Sequence, residues 1–135
     1  MKSIDILRDF KNFAVLGATI DEEKYGFKIV QRLCEIGKTV YPISPKYEEV
    51  NSLKAYKSLL AIERPIDVVV FVINKKFASQ YIAEMRELGI GFAWMQPGTY
   101  DDNLINDIQS LGITPIRDCV LIVSKELWWW RFQSY

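Results

Sequence analysis

Asp67-Val-Val-Val-Phe-Val-Ile73 is an apolar, largely β-branched run bounded by an acid before it and by Asn74-Lys75-Lys76 after it. Alternate positions are apolar on both faces, as in a central strand of a parallel sheet covered on two sides. Upstream, Phe13-Ala-Val-Leu-Gly17 reads as a second buried strand and Thr39-Val-Tyr-Pro-Ile43 as a third. Downstream, Gly91 to Met95 and Ile113 to Ile116 read as two more. Between them lie helical stripes: Phe27, Val30, Leu33 and Cys34; Phe77, Ala78, Tyr81, Ile82, Met85 and Leu88; Leu104, Ile105, Ile108 and Leu111. Tyr56 to Ile62 reads as one or two helical turns, with a minor edge strand near Leu53 to Tyr56.

Glu35-Ile-Gly37, Glu87-Leu-Gly89 and Ser110-Leu-Gly112 each end a helix and lead into a strand. Glycine takes the left-handed conformation that closes a helix. Helix, glycine and strand in repetition are the grammar of βαβ units. The fold expected is α/β: a Rossmann-like, doubly wound parallel sheet of about five strands with helices on both faces. One domain is expected over 1–135, with 1–12 an outer helix and 124–135 an aromatic C-terminal segment containing Trp128-Trp129-Trp130. That segment is expected to dock on the body, on a second copy or on a protein partner.

Composition narrows the function. Seventeen basic and seventeen acidic residues cancel, so no basic excess points to nucleic acid. Any bound polyanion must be held by a local site. Charges interrupt the N-terminal stretch, and no apolar run approaches the ~20 residues of a membrane span. The expected setting is cytoplasmic, without a membrane partner. Two cysteines are too few for a disulfide framework or a zinc site. There is no histidine, which removes Ser-His and Cys-His nucleophilic mechanisms and the usual base near neutral pH. No other residue set supplies a nucleophile with a positioned base, so a non-catalytic binding role is expected.

Open parallel sheets bind ligands beyond the carboxyl ends of their strands, where strand order reverses. Four loops can meet there. Gly17-Ala18-Thr19 can offer backbone amides to a pyrophosphate, and Gly26 in the following helix allows close approach. Ser44-Pro45-Lys46 has a lysine where an NAD site wants an acid, which favours a phosphorylated ribose. Ile73-Asn74-Lys75-Lys76 opens a helix with positive charge. Gln96-Pro97-Gly98-Thr99 makes a fixed turn at Pro-Gly, with a Gln96 amide that both donates and accepts. Cys119, after the last strand, either lines the same rim or is a small buried hydrophobe; Cys34 is assigned to the core.

Together, Val15-Leu-Gly-Ala-Thr19, Lys24-Tyr-Gly26, Val40-Tyr-Pro-Ile-Ser-Pro-Lys-Tyr47, Asp67-Val-Val-Val70, Trp94-Met-Gln-Pro-Gly98 and Cys119 resemble the small stand-alone coenzyme A-binding proteins. Their fold is related to the coenzyme A-binding domain of succinyl-CoA synthetase. The resemblance covers most of the chain. It implies that Gly17, Ala18 and Thr19 wrap the pyrophosphate, with Lys24 and Tyr25 in the same phosphate-side loop. It implies Ser44, Pro45 and Lys46 near the ribose and its 3′-phosphate. Ile73 and Asn74 would flank the adenine or the start of pantetheine, and Gln96, Pro97 and Gly98 would face the crevice. The chain departs from the family at Thr19, often Ser, at Ser44, often Asn, and at Asp118, which separates Arg117 from Cys119. An acid there disfavours a polyphosphate unless it points away.

The leading expectation is therefore non-catalytic binding of coenzyme A or an acyl-CoA. The alternatives are a thiol-linked sensor or store in which Cys119 forms a mixed disulfide with coenzyme A, an NADP-dependent oxidoreductase, and an interaction domain with an empty crevice.

Overall fold

In the computed structural model, which describes residues 1–127, the chain runs α1 (Ser3–Asp9), β1 (Asn12–Leu16), α2 (Tyr25–Glu35), β2 (Thr39–Ile43), β3 (Glu49–Val50), β4 (Leu53–Lys54), β5 (Val68–Phe71), α3 (Ala78–Leu88), β6 (Phe92–Met95), α4 (Asp102–Ser110), β7 (Thr114–Arg117) and α5 (Val120–Val123). Five strands form one parallel sheet in the order β2-β1-β5-β6-β7. Both edge strands contain a proline, Pro42 and Pro115, whose missing N–H a central strand would not tolerate. Sheet growth reverses direction between β2 and β5, so the loops after β1 and β5 meet at the switch point.

Alternation along the strands builds two cores. Ala14, Leu16, Val69, Phe71, Ala93 and Met95 face α3 and α4. Phe13, Val15, Val68, Val70 and Trp94 face α1, α2 and α5. Side chains on both faces of β5 are buried throughout, as its composition requires. The outer helix expected at 1–12 forms as α1 and buries Ile6 and Leu7 fully. The three glycines expected as helix ends have φ of +87° at Gly37, +70° at Gly89 and +76° at Gly112.

Several details differ from the sequence reading. The buried face of α2 is Gly26, Ile29, Val30 and Leu33, while Phe27 and Cys34 are only half-buried at its margins. Phe77 and Leu88, expected on the α3 stripe, are exposed. The turns expected over Tyr56 to Ile62 reduce to a 3-10 turn at Leu59–Ala61. Ahead of it, β3 and β4 form an antiparallel hairpin through Asn51 and Ser52, both at positive φ, the geometry of a type I′ turn. Tyr56 then pairs with the end of β2, its N–H donating to Pro42 O and its carbonyl accepting from Ser44 N. The Trp128-Trp129-Trp130 run lies outside the described residues.

Candidate functional site

The carboxyl ends of β1 and β5 approach as closely as backbone permits. Gly17 has φ +85°, and a Cβ there would stand 2.6 Å from the carbonyl oxygen of Val72. A Cβ on Gly26 would overlap the carbonyl oxygen of Gly17. Two glycines thus let the first turn of α2 sit directly on the loop that precedes it. The N-cap of that helix, Lys24, makes no side-chain capping bond. Its carbonyl accepts from the Phe27 and Lys28 amides, leaving the Tyr25 and Gly26 amides without a partner among the described residues. Free amides, the positive end of the helix and a lysine together make an anion cradle.

The remaining predicted residues divide by what their polar atoms already do. Ala18 is buried, and its N–H donates to Ile43 O, which ties the loops after β1 and β2 together. Thr19 Oγ1 accepts from Asp21 N at 3.2 Å. Ser44 is also buried; its hydroxyl oxygen accepts from the amides of Lys46 at 3.2 Å and Tyr47 at 3.3 Å. Ser44 therefore shapes the loop, while Pro45 and Lys46 are exposed on it. Asn74 Oδ1 accepts from Lys76 N at 3.0 Å and caps the 3-10 turn Lys75–Phe77. Lys75 is paired with Asp101 at 3.0 Å, so Lys76 is the lysine of that loop that lines a crevice.

Gln96 is 4% exposed and fully engaged. Its Oε1 accepts from Val120 N at 2.7 Å and Trp94 Nε1 at 3.2 Å, and its Nε2 lies 3.5 Å from Cys119 Sγ. The side chain thus joins the end of β6 to the start of α5. Asp118 turns away from the rim: its carboxylate accepts from Ser3 Oγ at 2.8 Å and Cys119 N at 2.9 Å. The repulsion that its sequence position threatened is directed toward α1 instead.

Two crevices open on this rim. The first, about 510 Å³, brings together the predicted residues Tyr25, Ile73, Asn74, Gln96, Pro97, Gly98 and Cys119, and adds Val72, Thr99 and Ile122. Cys119 is buried and contributes to its wall. The second, about 620 Å³, lies on the α3 side and joins Pro45, Ile73 and Asn74 to Lys76, Phe77, Ser79, Gln80 and Tyr81. Ile73 and Asn74 belong to both. Sequence reasoning missed Phe77 and Tyr81 here because their helical spacing read as core, and it missed Ile122 because α5 was not foreseen. Among the described residues there is no His, Cys, Asp and Glu cluster suited to a metal, and no helix long and apolar enough to cross a membrane.

Known proteins resemble this chain in sequence and in fold. The chain is 36% identical over 88 residues to the alpha subunit of an ADP-forming acetate–CoA ligase II of Pyrococcus furiosus, covering 64% of this chain and 19% of that one. It is 32% identical over 105 residues to an ADP-forming acetate–CoA ligase of Methanocaldococcus jannaschii, covering 73% and 15%. The chain thus spans about a fifth or less of the length of these ligases. A solved structure of a hypothetical protein from Pyrococcus horikoshii superposes with a TM-score of 0.85 at 30% identity, covering 91% of this chain and 87% of that one. The family model described as the CoA binding domain matches residues 11–125. The chain corresponds to the CoA-binding module of the ligases, not to their catalytic domain, and it belongs to the CoA binding domain family.

Proposed function

We propose that this chain holds coenzyme A or an acyl-CoA non-covalently across the carboxyl ends of β1, β2, β5 and β6. The observation that carries the reading is the contact of Gly26 with Gly17, which seats an uncapped α2 on a glycine loop. The pyrophosphate lies against Gly17, Thr19 and the first amides of α2, near Lys24. The phosphorylated ribose lies at Lys46. Adenine enters the second crevice, between Pro45 and Phe77, whose exposed ring offers a stacking face. Pantetheine crosses Ile73 and Asn74 into the first crevice, toward Gln96, Pro97, Gly98 and Cys119.

Calorimetric titration with coenzyme A, 3′-dephospho-coenzyme A, NADP and ATP tests this. Binding that is tightest for coenzyme A and weakens without the 3′-phosphate supports it. Failure to bind coenzyme A overturns it, and a preference for NADP supports the oxidoreductase alternative.

The position of Cys119 in the first crevice favours a second reading. Exchange of its thiolate with oxidised coenzyme A disulfide would form a Cys119–coenzyme A disulfide and release one reduced coenzyme A. Mass spectrometry of the unreduced protein after such treatment decides it: an adduct lost in Cys119→Ser supports the exchange, and no adduct ends it.

A further inference from the structure

A third depression, about 520 Å³, lies away from the rim, in the groove between α3 and α4. It shares only Ser79 with the two rim crevices. Its apolar lining is Ile82, which is buried, and Leu111, which is half-buried. Ser79 and Ala83 stand one helical turn apart on the exposed side of α3 and add little bulk. Short side chains at a contact let a second helix approach closely. Three charged side chains border the groove, Arg86 and Glu87 on α3 and Asp107 on α4. All three are exposed, and none forms an ion pair among the described residues. Arg86 and Asp107 thus border one groove with opposite charges that do not meet within the chain.

We propose that this groove is where a second copy of the chain docks, α3 against α3 about a two-fold axis, with Arg86 of each copy paired to Asp107 of the other. A two-fold interface is self-complementary, so each contact between different residues is made twice. Arg86 and Asp107 both lie in the C-terminal halves of their helices, and one axis near them serves both pairs. A groove bordered by one sign of charge calls for a partner of the other sign; this one carries both and matches itself. Seventeen basic and seventeen acidic residues leave the chain without net charge, so two copies meet without long-range repulsion. The proposal does not depend on the coenzyme A reading, since Arg86 and Asp107 line neither rim crevice.

Sedimentation equilibrium of the full chain over a wide concentration range tests it. The native chain is expected to approach twice the monomer mass as concentration rises. Arg86→Asp sets two acids against each other, and Asp107→Arg sets two bases. Each is expected to raise the dimer dissociation constant by about tenfold or more. The double variant reverses both charges and is expected to return within about threefold of the native constant. Ala83→Trp fills the groove and is expected to leave a monomer. Far-UV circular dichroism and the urea midpoint are expected to stay native in the charge variants, because both side chains are exposed and unpaired. A native chain that stays monomeric throughout overturns the proposal. A dimer that the single reversals leave intact overturns it too, since the contact then lies elsewhere on the surface. Single losses that the double reversal fails to recover, with the fold native, overturn the pairing and with it the two-fold arrangement.

Discussion

The α carbon of Gly26 packs against the carbonyl oxygen of Gly17, with no room for a β carbon between them. The obstacle is backbone on both sides, so no side chain can rotate away. Gly26→Ala is expected to push the start of α2 off the β1 loop, costing about 1–3 kcal/mol of stability and most of the affinity for coenzyme A. Urea denaturation and calorimetry measure the two effects. A variant with native stability and affinity would show that the cradle does not need this contact.

Lys46→Glu reverses the charge on the loop after β2 without touching a buried group. Coenzyme A affinity is expected to fall by about tenfold or more, and affinity for 3′-dephospho-coenzyme A by less. Raising the salt concentration is expected to narrow the difference between native and variant chains, because exposed charges are screened. Titrations at two ionic strengths check both statements.

Asp101 connects α4 to the loop after β5. Its carboxylate accepts from Leu104 N at 2.9 Å and pairs with Lys75. Both partners favour the charged form, the Leu104 amide more than Lys75, and hold its pKa below the ordinary 3.8. The folded state therefore binds fewer protons than the unfolded one in that range. The contribution is complete above the unfolded value and is lost as pH falls through the folded one. Asp101→Asn keeps a capping oxygen but removes the charge. It is expected to lower the urea midpoint at neutral pH, with the gap to the native chain closing in acid.

Glu84 is a buried carboxylate on α3 that accepts from Leu59 N at 2.7 Å and Gln80 Nε2 at 3.1 Å. It fastens the 3-10 turn at Leu59–Ala61 to α3. Glu84→Ala leaves the buried Leu59 amide unpaired and is expected to cost about 2 kcal/mol. Glu84→Gln, which retains an acceptor, is expected to cost about half as much. Equal losses in the two variants would place the cost in packing, not in the hydrogen bond.

The strands were legible wherever burial dominated. The run from Asp67 to Ile73 reads as a central strand, and Val68–Phe71 within it forms β5, buried on both faces. What sequence periodicity could not settle was which side of a helix faces inward when apolar residues flank the stripe. Phe27 and Cys34 sit one step from the buried face of α2, and Phe77 lies beyond the N-terminus of α3 on a crevice wall. The hairpin through Asn51 and Ser52 was faint because its turn lacks the glycine that usually marks positive φ. At the rim, the loops themselves were readable, but the occupation of Gln96 and Ser44 was not. Both are satisfied by groups that only the folded chain brings near, such as Val120 N and the loop amides. The turning of Asp118 toward Ser3 joins residues 115 positions apart and has no local signal.

Ile73 and Asn74 form a single wall between two crevices. On the proposed reading, a ligand must straddle that ridge, one end on each side. Its halves then act as tethered fragments: once one is seated, the other is presented at high effective concentration and forfeits its translational freedom only once. An adenine nucleotide and a pantetheine fragment supplied separately are therefore expected to bind far more weakly than the intact molecule. On the same reading, a substitution that moves the ridge alters the binding of both ends of the ligand together.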